Sequence, residues 1–280
     1  MKKISRRSFL AAAAVSAAAL ALTACGGSAS TASSAAASSV AASSEAASTS
    51  AAAGELTTVE AGKLTMATNA TFPPYEMTTD SGEFEGIDID TAKAIAEKLG
   101  LELQIDDMDF DAALLSVQQG KADIVMAGVT VTDERKAVMD FSDSYATGIR
   151  SIIVPEGSDI ASVDDLAGKK IGTQRGTTGY IYCSDDFGDD AVVAYDDGLT
   201  AVQALNNGQV DAVVIDNAPA KEFVAANPGL VILDTSYAEE DYAIGLAKGS
   251  ALEDAVNAAL EELKADGTLQ AIVDKYITAE

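Results

Sequence analysis

From Lys63 onward the chain alternates two hydrophobic periods. Lys63-Leu-Thr-Met-Ala-Thr68 places apolar residues at every second position, the period of a strand, whereas Asp90 to Leu99 repeats them at helical spacing and is stopped by Gly100. Leu101 to Ile105 reads as a strand, Ala112 to Gln119 as a helix halted at Gly120, and Ile124 to Ala127 as a fully apolar strand. The alternation resumes with strands at Lys170 to Thr173, Val192 to Tyr195, Ala212 to Ile215 and Leu230 to Leu233. Between them lie helices at Thr177 to Cys183, Leu199 to Asn206 and Pro219 to Ala226. Strands separated by helices predict an α/β protein with mostly parallel sheets. One unit repeats: Leu114-Leu-Ser-Val117-Gln-Gln-Gly120-Lys-Ala-Asp123-Ile-Val125 is echoed by Val202-Gln-Ala-Leu205-Asn-Asn-Gly208-Gln-Val-Asp211-Ala-Val213. Two copies of a helix, glycine stop and buried strand predict two similar lobes, each with its own sheet. Ligands in open α/β sheets bind beyond the carboxyl ends of strands, so the ends near Gly128 and Asp216 are expected to face each other across a cleft.

The first 54 residues follow neither period. A basic start (Lys2, Lys3, Arg6, Arg7) precedes an apolar run from Phe9 to Leu22 that, at 14 residues, is shorter than the ~20 a spanning helix needs. Residues 1–24 are therefore expected to be an export signal. Leu22-Thr-Ala-Cys25 resembles the lipobox at which bacteria attach diacylglycerol to the cysteine and cleave before it, and Ser5-Arg6-Arg7-Ser-Phe-Leu10 resembles the twin-arginine export motif. The twin arginines also fit a plain basic start for general export. After the lipidated Cys25 the chain to residue 54 is almost wholly Ala, Ser, Thr and Gly, with too little to bury; it is expected to be a disordered tether of roughly 30 Å.

Composition narrows the chemistry. The chain has 280 residues, 48% of them apolar, enough for one large or two medium cores. It contains no histidine, which removes Ser-His-Asp triads, Cys-His pairs and His-containing zinc sites. A net charge of -26 disfavours nucleic acid and anionic lipid surfaces. With Cys25 lipidated, Cys183 is a lone thiol, read as a small buried apolar residue. No cofactor or metal is expected.

Three strings then resemble one known family, the polar amino-acid-binding receptors of ATP-driven (ABC) importers, with the type II periplasmic binding protein fold. They are Ala67-Thr-Asn-Ala-Thr-Phe72-Pro-Pro-Tyr75 leading into Gly86-Ile-Asp-Ile-Asp90; Ala127-Gly128-Val-Thr130-Val-Thr132-Asp-Glu-Arg135 leading into Asp140-Phe-Ser-Asp143; and Gln174-Arg-Gly176-Thr-Thr178. The resemblance implies a two-lobed fold with a hinge, each lobe a mostly parallel sheet flanked by helices. Lobe 1 would be 62–145 plus 242–280, lobe 2 would be 150–239, and the hinge 146–149 and 240–241. It also implies an extracytoplasmic receptor, lipid-anchored to the cell membrane, that hands an amino acid to a membrane permease and its ATPase.

By the same resemblance Arg135 holds the ligand's α-carboxylate, helped by Thr130 and by backbone N–H groups at Thr177 and Thr178, where a helix starts. Asp216 takes the α-ammonium with the carbonyl of Gly128, Phe72 and Phe110 cover the aliphatic stem, and Asn69 and Gln174 meet the far end. The physical reading agrees at one point: the exported chain has three arginines, 135, 150 and 175, and a planar guanidinium grips a carboxylate with two parallel hydrogen bonds. Plainer readings stand beside these. Arg135 in a surface ion pair with Asp133 or Glu134, Asp216 as an N-cap, the phenylalanines as packing, and Asn69 as a turn former are each compatible with the sequence alone. Asn69 in place of an aspartate favours a neutral polar ligand, glutamine-like or cystine-like, with Arg175 repelling a cation if it points inward. The alternatives are a basic amino acid, with Glu76 or Asp241 supplying the charge, or a dehydratase-type enzyme on the same fold. The paired acids 106–107, 185–186 and 239–240 read as solvated surface.

Overall fold

The computed structural model describes residues 56–277. The export signal, Cys25 and the Ala/Ser tether lie outside them. The chain opens with β1 (Lys63–Thr68), a small meander of β2 (Thr71–Phe72), β3 (Glu76–Thr78) and β4 (Phe84–Glu85), then α1 (Ile87–Leu99), β5 (Glu102–Asp107), α2 (Phe110–Gln118), β6 (Ile124–Val125) and the single turn α3 (Asp133–Lys136). The long β7 (Met139–Pro155) leads to β8 (Ile171–Gln174), α4 (Thr178–Phe187), β9 (Val192–Tyr195), α5 (Gly198–Asn206), β10 (Ala212–Asp216) and α6 (Asn217–Ala226). The equally long β11 (Leu230–Ala247) returns to α7 (Glu253–Ala265) and α8 (Thr268–Tyr276). The strands run in the order β5-β1-β6-β11-β7-β10-β8-β9.

Each half of that sheet is parallel (β5-β1-β6 and β10-β8-β9) and is bordered by one antiparallel strand, β11 on the first and β7 on the second. The two borders pair with each other along almost their whole length and carry the chain between the halves. At the middle of that ladder Glu239 faces Ile149, Glu240 faces Gly148, Asp241 faces Thr147 and Tyr242 faces Ala146. Leu230 to Leu233 and the region of Ala146 thus belong to two long strands rather than to a short strand and a linker. The ladder slips between Ile232 and Ser236 and again between Tyr242 and Gly245, so no single period of two runs through it.

The repeated unit folds alike twice. Gly120 and Gly208 both adopt φ +66° after their helices, a conformation that suits glycine. Asp123 accepts the N–H of Thr65 at 2.8 Å, and Asp211 accepts the N–H of Lys170 at 2.7 Å. Each aspartate thereby ties its own strand to the start of the neighbouring parallel strand. Leu64, Met66, Ile87, Ile89, Ile95 and Ile124 are fully buried in the first half, Ile152, Ile153 and Leu166 in the second. Cys183 is buried on α4, and burial pushes its thiol up to about 12, which keeps it protonated and unreactive at neutral pH. Among the described residues no helix is long and apolar enough to cross a membrane.

Candidate functional site

The strand ends converge on one small cavity lined by Asn69, Phe72, Glu76, Phe110, Ala127, Gly128, Thr130, Arg135, Arg150, Gln174, Thr177, Thr178 and Asp216. All ten ligand-site residues singled out in the sequence stand on its wall, joined by Glu76, Ala127 and Arg150.

Arg135 is buried on α3, where Thr132 caps the turn by accepting the Arg135 N–H. Its guanidinium donates to the carbonyls of Thr130 at 2.8 Å and Gly176 at 3.1 Å and lies over the Phe110 ring at 5.4 Å. Among the described residues no carboxylate forms an ion pair with it, so the surface pairing with Asp133 or Glu134 is not formed. Burial, with Arg150 nearby, lowers its value to about 10, still protonated at neutral pH. Thr177 caps α4 by accepting the N–H of Tyr180, which leaves the first N–H groups of that helix at the cavity.

Asp216 ends β10 at the N-cap position of α6 but makes no capping hydrogen bond. It pairs instead with Arg150 and accepts the hydroxyl of Tyr242, both on Oδ1. Burial pushes its carboxyl up while Arg150 and the Tyr242 hydroxyl pull it back. Arg150 projects from β7 and also donates to the hydroxyls of Thr130 (2.9 Å) and Thr178. Burial works to lower its value, yet Asp216, Tyr242 and Glu240 outweigh that and hold the guanidinium charged. Glu240, read from the sequence as solvated surface, turns inward, 3.7 Å from Arg150 and accepting the Tyr182 hydroxyl. The signal for Arg150 was its scarcity: an arginine next to an apolar strand core has to be paired inside.

The far wall differs from the sequence reading in two details. Asn69 spends its amide internally, donating to the Met108 carbonyl at 2.9 Å and accepting from Thr71 and from Gln174 (2.8 Å). Arg175 stands exposed, its nearest acid Asp196 at 3.7 Å, and does not enter the cavity. Asp241 likewise lies at the surface beside Ser144. Glu76, by contrast, is buried on the cavity wall against Asp88, and neither of its oxygens has a hydrogen-bond partner.

Residues 64–279 match the bacterial extracellular solute-binding proteins, family 3. The chain belongs to this family. It is 32% identical over 225 residues to the L-cystine-binding protein TcyJ of Escherichia coli (strain K12), covering 79% of this chain and 85% of that protein. An ancestral arginine-binding protein, solved bound to glutamine, superposes with a TM-score of 0.74 at 43% identity, covering 78% of this chain and 99% of that one. An ancestral arginine-binding protein solved bound to arginine gives 0.73 at 43% identity, covering 77% of this chain and 98% of that one. These relatives are binding proteins, not enzymes, and the family is extracytoplasmic. The two-lobed α/β architecture is that of the solved neighbours.

Proposed function

We propose that the protein is a lipid-anchored receptor that captures a basic α-amino acid between two lobes and presents it to the permease of an ABC importer. The lobes are those drawn from the sequence, 62–145 with 242–280 and 150–239, pivoting at 146–149 and 240–241. The observation that carries the reading is a pair of opposite charges on the walls of one cavity, Arg135 without a carboxylate and Asp216 with one oxygen uncommitted. Arg135 uses two of its five N–H groups on backbone carbonyls and keeps others for a carboxylate. Arg150 and Tyr242 both take Oδ1 of Asp216, so Oδ2 is left for an ammonium. Placing the two contacts on different lobes makes the ligand a bridge that favours closure. The space now enclosed is about 10 Å³, room for about one water, so entry requires the lobes to part.

The side chain is assigned from what is unpaired. Glu76 offers two acceptors and the wall no donor to meet them, which suits a guanidinium or ammonium group. The amide of Asn69 is engaged by Met108, Thr71 and Gln174, and Arg175 repels nothing from its exposed position. A neutral ligand, glutamine-like or cystine-like, keeps support from the Gln174 amide at the same wall and from relatives that bind cystine or were solved with glutamine. A thermal-shift screen of the purified chain against the twenty amino acids and cystine tests the assignment, because a ligand selective for the native state raises its melting temperature. Arginine or lysine is expected to give the largest rise. A larger rise with glutamine or cystine would transfer the assignment to the neutral class.

A further inference from the structure

We propose that Glu76 and Asp88 hold one proton between them at the inner wall of the cleft, and that this proton lets a single site accept both guanidinium and amide side chains. It leaves when a cation enters and stays when an amide does. The proposal rests on the reading that a ligand's side chain reaches Glu76.

The backbone forces the two carboxyls together. The N–H groups of Ile87 and Asp88 donate to the carbonyls of Pro74 (3.0 Å) and Tyr75 (2.9 Å), so the first turn of α1 is clamped onto the segment carrying Glu76. That approach needs Gly86: a Cβ there would stand 2.2 Å from the Tyr75 carbonyl oxygen and 2.9 Å from the Glu76 nitrogen. Both acids are buried, with Glu76 on the cavity wall and Asp88 behind it. One oxygen of Asp88 accepts the N–H of Gly128 at 3.0 Å. Its other oxygen and both oxygens of Glu76 lie against one another and the Tyr145 hydroxyl, with no well-formed hydrogen bond from the described residues to satisfy them.

Two cations share the cavity wall, but Arg135 is turned to the Thr130 and Gly176 carbonyls and Arg150 to Asp216, and neither forms an ion pair with Glu76. The charges that act most strongly on Glu76 are Asp88 from α1, Asp216 from β10 and Asp107 from β5, all acids; the tyrosine hydroxyls facing the pair are Tyr75 and Tyr145. Two adjacent carboxyls in such a setting cannot both ionise cheaply, and one shared proton satisfies an orphan oxygen on each. Burial first, then Asp88, holds Glu76 well above the ordinary carboxylate range; burial raises Asp88 to about 6 against the Gly128 N–H and Tyr145. With an amide ligand the protonated carboxyl donates to the amide oxygen and accepts from its NH₂. With a guanidinium, Glu76 ionises, accepts two N–H groups, and the proton passes to solvent. One positive charge enters and one leaves, so the charge of the site is conserved. Asp88 is thereby a positioning residue that sets the protonation of Glu76.

Calorimetry of the full chain with arginine and with glutamine, in buffers of differing ionisation enthalpy, counts the protons exchanged. Close to one proton released per arginine near pH 7 and none per glutamine is expected, with arginine affinity increasing as pH is raised, by up to about tenfold per pH unit while the free site holds its proton, and glutamine affinity level. Asp88→Asn should move the arginine profile to lower pH, a change that loss of structure alone would not produce. Infrared spectroscopy of the unmixed chain supplies the second arm: a protonated-carboxyl carbonyl band at pH 7 that Glu76→Gln removes. Arginine binding without proton release, or no such band, would overturn the shared proton. A chain that shows the band yet binds no arginine would support the proton and overturn the basic-ligand assignment instead.

Discussion

Arg135 is surrounded by two carbonyls and an aromatic face, so the partner it lacks is an anion of carboxylate shape. Replacing it with lysine turns a planar fork into a point charge, and Arg135→Lys should weaken amino-acid binding by about 2–5 kcal/mol, measured by calorimetry; near-native affinity would remove Arg135 from the site. Glu76 makes a prediction about stability. Its folded value is raised, so the stability it contributes is complete below its unfolded value near 4.5 and is lost as pH rises toward the folded one. Melting curves should therefore show Glu76→Gln gaining on the wild type as pH rises above about 4.5, by up to about 1.4 kcal/mol per pH unit; a constant gap would mean that Glu76 is ionised throughout. The wall residues within the family-like strings, from Asn69 to Thr178, could be picked out in the sequence because they lie at strand ends and helix starts inside recognisable motifs; Phe110 and Asp216 lie outside those strings and were drawn from the resemblance and from the end of a buried strand. Arg150 and Glu240 were missed, since both sit inside long strands whose inward faces only pairing reveals; for Arg150 the one signal was the scarcity of arginine. Asp216 had two readings, cap or ligand partner, and it makes no capping bond in the structure.

At the scale of elements, the alternation of periods showed most of the strands and helices in advance, and the echo around Gly120 and Gly208 showed that two units were alike. The structure adds the reason the aspartate recurs: Asp123 and Asp211 each accept a backbone N–H at or near the start of a parallel neighbour. β7 and β11 were less visible. Their slipped register breaks the period of two, so the sequence showed only fragments of them. Their pairing also explains Gly148: a Cβ there would lie 2.4 Å from the ring of Tyr242, the residue that holds Asp216 in place. Gly148→Ala should force that ring out of position and cost about 1–3 kcal/mol of stability, together with a loss of amino-acid affinity. Denaturant melts and calorimetry check both; a variant as stable and as tight as wild type would show that the ring has room to move.

For the whole molecule, a net charge of -26 and a cleft that presents paired unlike charges describe a soluble-facing receptor for a zwitterion rather than a binder of polyanions. Its expected anchoring at Cys25 is checked by fractionating cells: Cys25→Ala should leave the membrane fraction, and a variant that stays there would contradict lipid attachment. The central claim is that both α-groups of an amino acid are gripped at once, the carboxylate by Arg135 and the ammonium by Asp216. Agmatine keeps arginine's guanidinium and amine but has no carboxylate, so it removes one of the two grips and nothing else. Titrating the purified chain with arginine and with agmatine in the calorimeter should show agmatine weaker by at least about 2 kcal/mol, roughly thirtyfold. Equal affinities would contradict the account.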